Sequence, residues 1–209
     1  MKRLVVFDLG RVLVRICDGW QHAFERAGVS LPHDVLDAST RARLLDGVKR
    51  IEVGETPVSA FCEEVAGHLN LSCEVVTKMW QGYTLGPFEG ADQLLADLEA
   101  AGVTTACLSN TNGEHWRVLT DPADPQGRVI NRLHHHFASH LVRARKPDPQ
   151  IYAHVERTTG FGPSQITFFD DLAENIEAAR QRGWRSHLIE RCENPIPTIR
   201  KYLNEDNVI

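Results

Sequence analysis

Four short apolar runs, each closing on polar residues, constrain the fold of this chain more than any other feature. Leu4 to Phe7 ends at Asp8, and Val103 to Leu108 ends at Ser109-Asn110. Phe137 to Val142 leads through Arg143 to Lys146-Pro147, and Ile166 to Phe169 ends at Asp170-Asp171. Runs this short, rich in Val, Ile, Phe and Thr and flanked by Gly or Pro, predict buried strands. Arg185 to Ile189 is a fifth such segment. Helical stripes alternate with these runs. Ala91, Leu94, Leu95 and Leu98 precede Gly102; Ile151, Tyr152 and Val155 precede Gly160; Ala173, Ile176 and Ala179 precede Gly183. Glycine just past a periodic stripe is a helix stop. From residue 88 onward this alternation predicts an α/β core, a Rossmann-like, doubly wound and mainly parallel sheet covered by helices.

Residues 16–87 differ, with no convincing strand run and four helical stripes. These are Trp20, Phe24 and Ala27; Leu36, Leu44 and Leu45; Phe61, Val65 and Leu69; and Val75, Val76, Met79 and Trp80. Thr56-Pro57 is expected as an N-cap with proline at the first helical position, and Ser72 as the next cap. The expected organisation is a helical cap at 16–87 inserted into a core of 1–15 and 88–209, with Gly82 to Gly90 as the return hinge. Pro195 to Ile209 is expected as a short helix and tail.

Charge narrows the partners. The 28 acidic residues exceed the 23 basic ones, for a net charge of -5. No globally basic footprint for nucleic acid exists, so an anionic substrate must be attracted locally, by a metal or a few placed cations. The five cysteines form no C-x-x-C pair, which argues against a disulfide framework or zinc site and for a cytoplasmic location. Met1 to Phe7 imitates a signal peptide, but Asp8 interrupts the apolar run. No segment reaches the roughly 20 apolar residues that span a bilayer. A monomer or a homodimer is expected, with no membrane or nucleic-acid partner.

Ligands of open parallel sheets bind beyond the carboxyl ends of the strands. Asp8, Ser109-Asn110 and Asp170-Asp171 all fall there, and Lys146 lies in the loop beyond the third run. Singly, each has a plainer reading: the aspartates as helix caps, Ser109 and Asn110 as loop residues, Lys146-Pro147 as a surface dipeptide. Together they describe a phosphoryl-transfer site, which needs a carboxylate nucleophile, a hard cation held by oxygens, a cation for the phosphate and small donors.

Phe7-Asp8-Leu9-Gly10-Arg11-Val12-Leu13, Leu108-Ser109-Asn110-Thr111-Asn112, Arg145-Lys146-Pro147-Asp148 and Phe168-Phe169-Asp170-Asp171-Leu172-Ala173-Glu174-Asn175 together resemble the four motifs of the haloacid dehalogenase-like hydrolase superfamily. The wording is most similar to the bacterial α-D-glucose-1-phosphate phosphatase branch, and also to the phosphatase domain beside soluble epoxide hydrolases. The resemblance implies a Mg²⁺-dependent phosphatase acting on a small phosphorylated metabolite, first of all a sugar 1-phosphate such as α-D-glucose 1-phosphate. It implies that Asp8 attacks phosphorus and becomes an aspartyl phosphate. Asp8, the Gly10 carbonyl and Asp170 would hold Mg²⁺, Ser109 and Asn110 the phosphate oxygens. Lys146 would neutralise phosphate and nucleophile, while Asp171 and Asn175 support the metal loop.

Gly10 departs from the superfamily pattern, which implies a second aspartate here as acid/base. That term contributes roughly 10²–10⁴-fold. Three explanations stand: a leaving group good enough to depart unaided, such as an anomeric sugar oxygen; replacement by His115, whose ordinary pKa of about 6.5 suits proton transfer; or a protein that binds phosphorylated ligands with weak or no turnover. Metal-independent dehalogenase chemistry also lacks the second aspartate, but would leave Asp170-Asp171 without a purpose. Arg11 either reaches substrate or cap, or points to solvent. His134 to His136 with His140 read as a solvated helix face rather than a metal cluster. Trp20, Phe24, Trp80 and Phe88 read as packing residues, and Trp116 as the aromatic most apt to line the substrate.

Overall fold

The computed structural model describes residues 2–31 and 35–209. In chain order these form β1 (Leu4–Phe7), β2 (Val14–Ile16), α1 (Trp20–Arg26), α2 (Ala38–Glu52), α3 (Val58–Leu69), α4 (Cys73–Gln81) and β3 (Thr84–Pro87). There follow α5 (Ala91–Ala100), β4 (Thr104–Ser109), α6 (Gly113–Thr120), α7 (Pro125–Ile130), β5 (His135–Ala138) and α8 (Ser139–Val142). The chain closes with α9 (Pro149–Thr159), β6 (Ile166–Asp170), α10 (Ala173–Gln181), β7 (Arg185–Leu188) and α11 (Ile196–Glu205).

The main sheet has the order β5-β4-β1-β6-β7, and every pairing in it is parallel. Alternate residues of its central strands face opposite layers, as the strand period requires. Val5, Phe7, Cys107 and Phe169 pack under α5 and α11. Leu4, Val6, Ala106, Leu108 and Phe168 pack under α9 and α10. Both faces are covered, which is why these strands read as continuous apolar runs. The chain reverses its direction of travel across the sheet at β1: β4 and β5 lie to one side, β6 and β7 to the other. That is the topological switch point where open α/β sheets bind ligands.

Helices α1 to α4 surround a separate hydrophobic cluster that includes Phe24, Leu44, Ile51, Phe61, Val65, Val76 and Met79. Ser72 caps α4, its hydroxyl accepting from the Val75 N–H at 3.3 Å. Proline 57, not Thr56, is the N-cap of α3. The expected return hinge is instead strand β3, which pairs antiparallel with β2. The chain therefore leaves and re-enters the core through one two-stranded ribbon. All four residues of β3 are half-buried, and β2 is only three residues long, too short for its alternation to stand out.

Two further expectations are corrected. The third apolar run is not one strand: β5 ends at Ala138, and Ser139 to Val142 turn into the short α8. The histidine triplet is not a solvated helix face. His135 and His136 belong to β5, His134 accepts from the Thr105 N–H at 3.2 Å, and His136 bonds the Ile130 carbonyl at 2.9 Å. No helix among the described residues is long and apolar enough to cross a membrane.

Candidate active site

Strands β4, β1 and β6 are neighbours in register, so their carboxyl ends deliver Ser109, Asp8 and Asp170 to one edge. The Asp8 N–H continues the ladder, donating to the Phe169 carbonyl at 2.8 Å. Lys146 reaches the same point from the loop after α8. Its Nζ lies 2.8 Å from Asp8 Oδ1 and 2.7 Å from Asp170 Oδ2, with only 1% of the side chain exposed. Asp8, Asp170 and Asp171 each place a carboxylate oxygen within 4.8 Å of the others. A donor set made only of carboxylate oxygens fits a hard divalent cation and no soft metal.

The surrounding bonds fix this geometry. Asp170 Oδ1 accepts from the Leu172 N–H at 2.8 Å and from Asn175 Nδ2 at 2.9 Å. Asn110 spans the gap to Lys146, accepting from its N–H at 2.8 Å and donating to its carbonyl at 2.9 Å. The Asn110 side chain thus positions the lysine, a task invisible in the sequence. Ser139, fully buried, accepts from the Thr111 N–H at 2.9 Å and donates to the Thr111 carbonyl at 3.1 Å. The loop after β4 is held rigid by these bonds.

Burial raises the Asp8 carboxyl to about 7; Lys146 pulls it down, while Asp170 and Asp171 push it up. Burial opposes the Lys146 charge, but the Coulomb field of Asp170 and Asp8 outweighs it and raises the ammonium pKa. Burial and then Asp170 also raise Asp171, against the pull of Arg11.

Gly10 stands two residues beyond Asp8 in a tight turn whose Leu9 carbonyl accepts from Leu13 at 3.0 Å and Val14 at 2.8 Å. Arg11, at φ 60°, occupies the left-handed region, which is strained for a side-chain-bearing residue. Its guanidinium does not point freely to solvent but reaches the first residues of the expected cap segment. It lies 3.8 Å from Asp171 and 3.5 Å from Asp18, and donates to the Cys17 carbonyl at 3.2 Å.

A cavity of about 230 Å³ opens between the strand ends and the cap, lined on the core side by Gly10, Ser109, Asn110 and His115. Trp20 and Trp80, expected only as packing residues, line it from the cap, together with Tyr83 and Glu52. Trp116 lies elsewhere, with its ring edge-on to His136 and His140 at 6.4 and 6.3 Å. Glu52 accepts from Arg145 Nε at 2.8 Å, tying α2 to the residue before Lys146. Helical periodicity places Trp20 and Trp80 on helices, but does not show that they face the core.

His115 stacks on Trp80 at 4.8 Å. Its Nε2 faces the Trp80 carbonyl at 2.8 Å, so that nitrogen carries the proton, and Nδ1 accepts from Asn112 Nδ2 at 3.2 Å. Burial lowers its pKa, and the carbonyl bond only partly offsets this. Both nitrogens are occupied and the ring is neutral, so His115 joins core to cap and is not poised for proton transfer. His115→Ala is expected to leave the shape of the pH–rate profile unchanged; loss of one limb would restore it as the acid/base.

The family described as haloacid dehalogenase-like hydrolase matches residues 2–183. Phosphatase MT3486 of Mycobacterium tuberculosis is 37% identical over 140 residues, 65% of this chain and 62% of that protein. Bifunctional epoxide hydrolase 2 of Rattus norvegicus is 29% identical over 113 residues, 52% of this chain and 20% of that protein. The match thus spans less than two thirds of either relative. A HAD family enzyme from Bacteroides thetaiotaomicron, solved with magnesium and inorganic phosphate, has a TM-score of 0.74 and 20% identity over 93% of this chain and 97% of that one. At that identity the likeness speaks for the fold.

Proposed function

Because the chain belongs to the haloacid dehalogenase-like hydrolases, we propose that it is a Mg²⁺-dependent phosphatase, hydrolysing a small phosphomonoester through an aspartyl phosphate on Asp8. The observation that carries this reading is the buried Lys146 held between Asp8 and Asp170, with Asp171 completing a three-carboxylate cluster. Asp8, Asp170 and the Gly10 carbonyl would hold the cation. Bound there, Mg²⁺ would neutralise the charge that builds on the phosphoryl oxygens.

Asp8 supplies the nucleophilic oxygen. Lys146 keeps it aligned and faces the incoming phosphate with a positive charge. The Ser109 hydroxyl and the Asn110 main-chain N–H, at the end of β4 on the cavity wall, would donate to the phosphoryl oxygens. Asn175 holds Asp170 in place. Water then cleaves the aspartyl phosphate and restores Asp8. Gly10 has no side chain to protonate the leaving oxygen, both His115 nitrogens are bonded, and Glu52 is engaged with Arg145. With no side chain at the position that would normally supply the proton, the leaving group best suited to the site is one that departs without it. An anomeric sugar phosphate meets that condition, as does any ester of a weakly basic oxygen.

Phosphate release from 4-nitrophenyl phosphate, with and without Mg²⁺, tests the reading. Activity should vanish in a chelator and return with Mg²⁺. Halide release from a 2-haloacid in chelator would replace it with dehalogenation. A pH effect follows from Asp8. Its folded pKa is raised to about 7, so protons compete with the cation below that pH. Apparent Mg²⁺ affinity should strengthen by up to about tenfold per pH unit as pH rises toward 7, and level off above it. Titration calorimetry across pH 5.5–8.5 reads this directly, and a flat profile would remove Asp8 from the ligand set.

A further inference from the structure

We infer that the substrate's leaving group is a single aromatic ring, so that the chain acts on an aryl phosphate rather than a sugar phosphate. This rests on the phosphatase reading above and concerns the far end of the same cavity. The cap side of that cavity is built from Trp20, Leu45, Val48, Trp80 and Tyr83. The two tryptophan rings lie 6.0 Å apart, and Trp80 continues onto His115 as a stacked pair. Leu45 is 55% exposed although it stands on the cavity wall, an apolar surface that a bound ring would cover.

A sugar needs a partner for each ring hydroxyl it buries, since an unpaired one loses its hydrogen bond to water. Several polar groups on this wall are already engaged, and the buried Trp80 Nε1 is left as a lone donor, one partner where a sugar's ring hydroxyls need several. The Asn112 carboxamide accepts from the N–H groups of Glu114 and His115 and donates to the His115 ring. The Thr84 hydroxyl accepts from Gln126 at 3.3 Å, and Glu52 accepts from Arg145. Size agrees with a single ring: a cavity of about 150 Å³ admits benzene, and the 230 Å³ here leaves room for the phosphoryl group.

Gly10 supplies the chemical argument. A phenol ionises near pKa 10, as tyrosine does, whereas an ordinary alkoxide is a far stronger base and leaves poorly without a proton; an anomeric sugar oxygen is disfavoured by the wall rather than by Gly10. In the first step Asp8 forms an O–P bond, and the P–O(aryl) bond breaks with its electron pair going to the phenolate. In the second step water forms a new P–O bond as the P–O(Asp8) bond breaks. One water hydrogen stays on the phosphate, and the other, as a proton, converts the released phenolate to the phenol.

The test compares phenyl phosphate, acetyl phosphate and α-D-glucose 1-phosphate with the full chain and Mg²⁺. Acetyl phosphate has a good leaving group but no ring. The KM of phenyl phosphate should be lower than that of both others by about tenfold. Leu45→Asn should raise that KM by about threefold and leave kcat/KM for acetyl phosphate unchanged. Leu45 is at the surface, so its variant keeps the fold. A glucose 1-phosphate KM at or below that of phenyl phosphate overturns the inference, as does a Leu45→Asn variant that shifts neither substrate or both alike. No phosphate release from any of the three overturns the phosphatase reading itself.

Discussion

Asparagine in place of Asp8 is expected to reduce kcat for phosphate release on the order of 10⁴-fold or more, the scale seen when a covalent nucleophile is removed. The same variant should keep or raise the melting temperature of the metal-free protein. Burial and the neighbouring carboxylates disfavour the charged form of Asp8, which is why its pKa stands near 7. Asparagine removes that charge and still presents an oxygen to Lys146 Nζ, which lies 2.8 Å from Asp8 Oδ1. Paired measurements of turnover and thermal unfolding separate a chemical loss from a structural one. Retained turnover would exclude Asp8 as the nucleophile, and a collapse in stability would assign it a mainly structural task.

Aspartate at position 10 is the converse experiment, with the largest expected gain. Gly10 is not among the glycines with left-handed φ, so its backbone accepts a side chain. A Cβ there would meet only Ile16, with Cδ1 at 3.2 Å. That methyl ends a flexible side chain and can yield by the few tenths of an ångström required. The new carboxyl would stand two residues beyond the nucleophile, where it could protonate a leaving oxygen. Gly10→Asp is expected to raise kcat/KM for an alkyl phosphate such as glycerol phosphate by about 10²-fold, within the range of general acid catalysis. Phenyl phosphate, whose leaving group needs no proton, should change by less than about threefold by the same argument. A folded variant with no gain on alkyl phosphates would show that the missing acid does not limit this site.

The central strands were legible because they are buried on both faces. Leu4 to Phe7 has no polar residue and Ile166 to Phe169 only the buried Thr167, and the first charged residue after each run marks Asp8 and Asp170. Strand β5 is at the sheet edge, where His135 and His136 are tolerated, so apolar content alone placed it two residues late. The β2–β3 ribbon gave no local signal. Its strands are three and four residues long, and its pairs, such as Val14 with Pro87, join distant parts of the chain. Residues fixed to strand ends could be assigned to one edge from topology alone. The cavity wall could not, because Trp80, Tyr83 and Glu52 face the site only through the docking of one helical layer on another. Asn110 shows the remaining limit: its place at the strand end was readable, while the commitment of its carboxamide to the Lys146 main chain required coordinates.

The β2–β3 ribbon makes the cap, in polymer terms, a loop whose ends are already joined. Ile16 and Thr84 are paired across it, so the core sees two adjacent anchor points whatever lies between them. The closure entropy of such a loop grows only as the logarithm of its length, by about 0.6 kcal/mol for each doubling. Insertions or deletions between the intervening helices therefore strain the strand-end carboxylates little, so long as Glu52 still meets Arg145 and Trp80 still meets His115. Selectivity and reactivity can drift separately along one chain, since the residues that choose the leaving group hang from a clasp and those that break the bond do not.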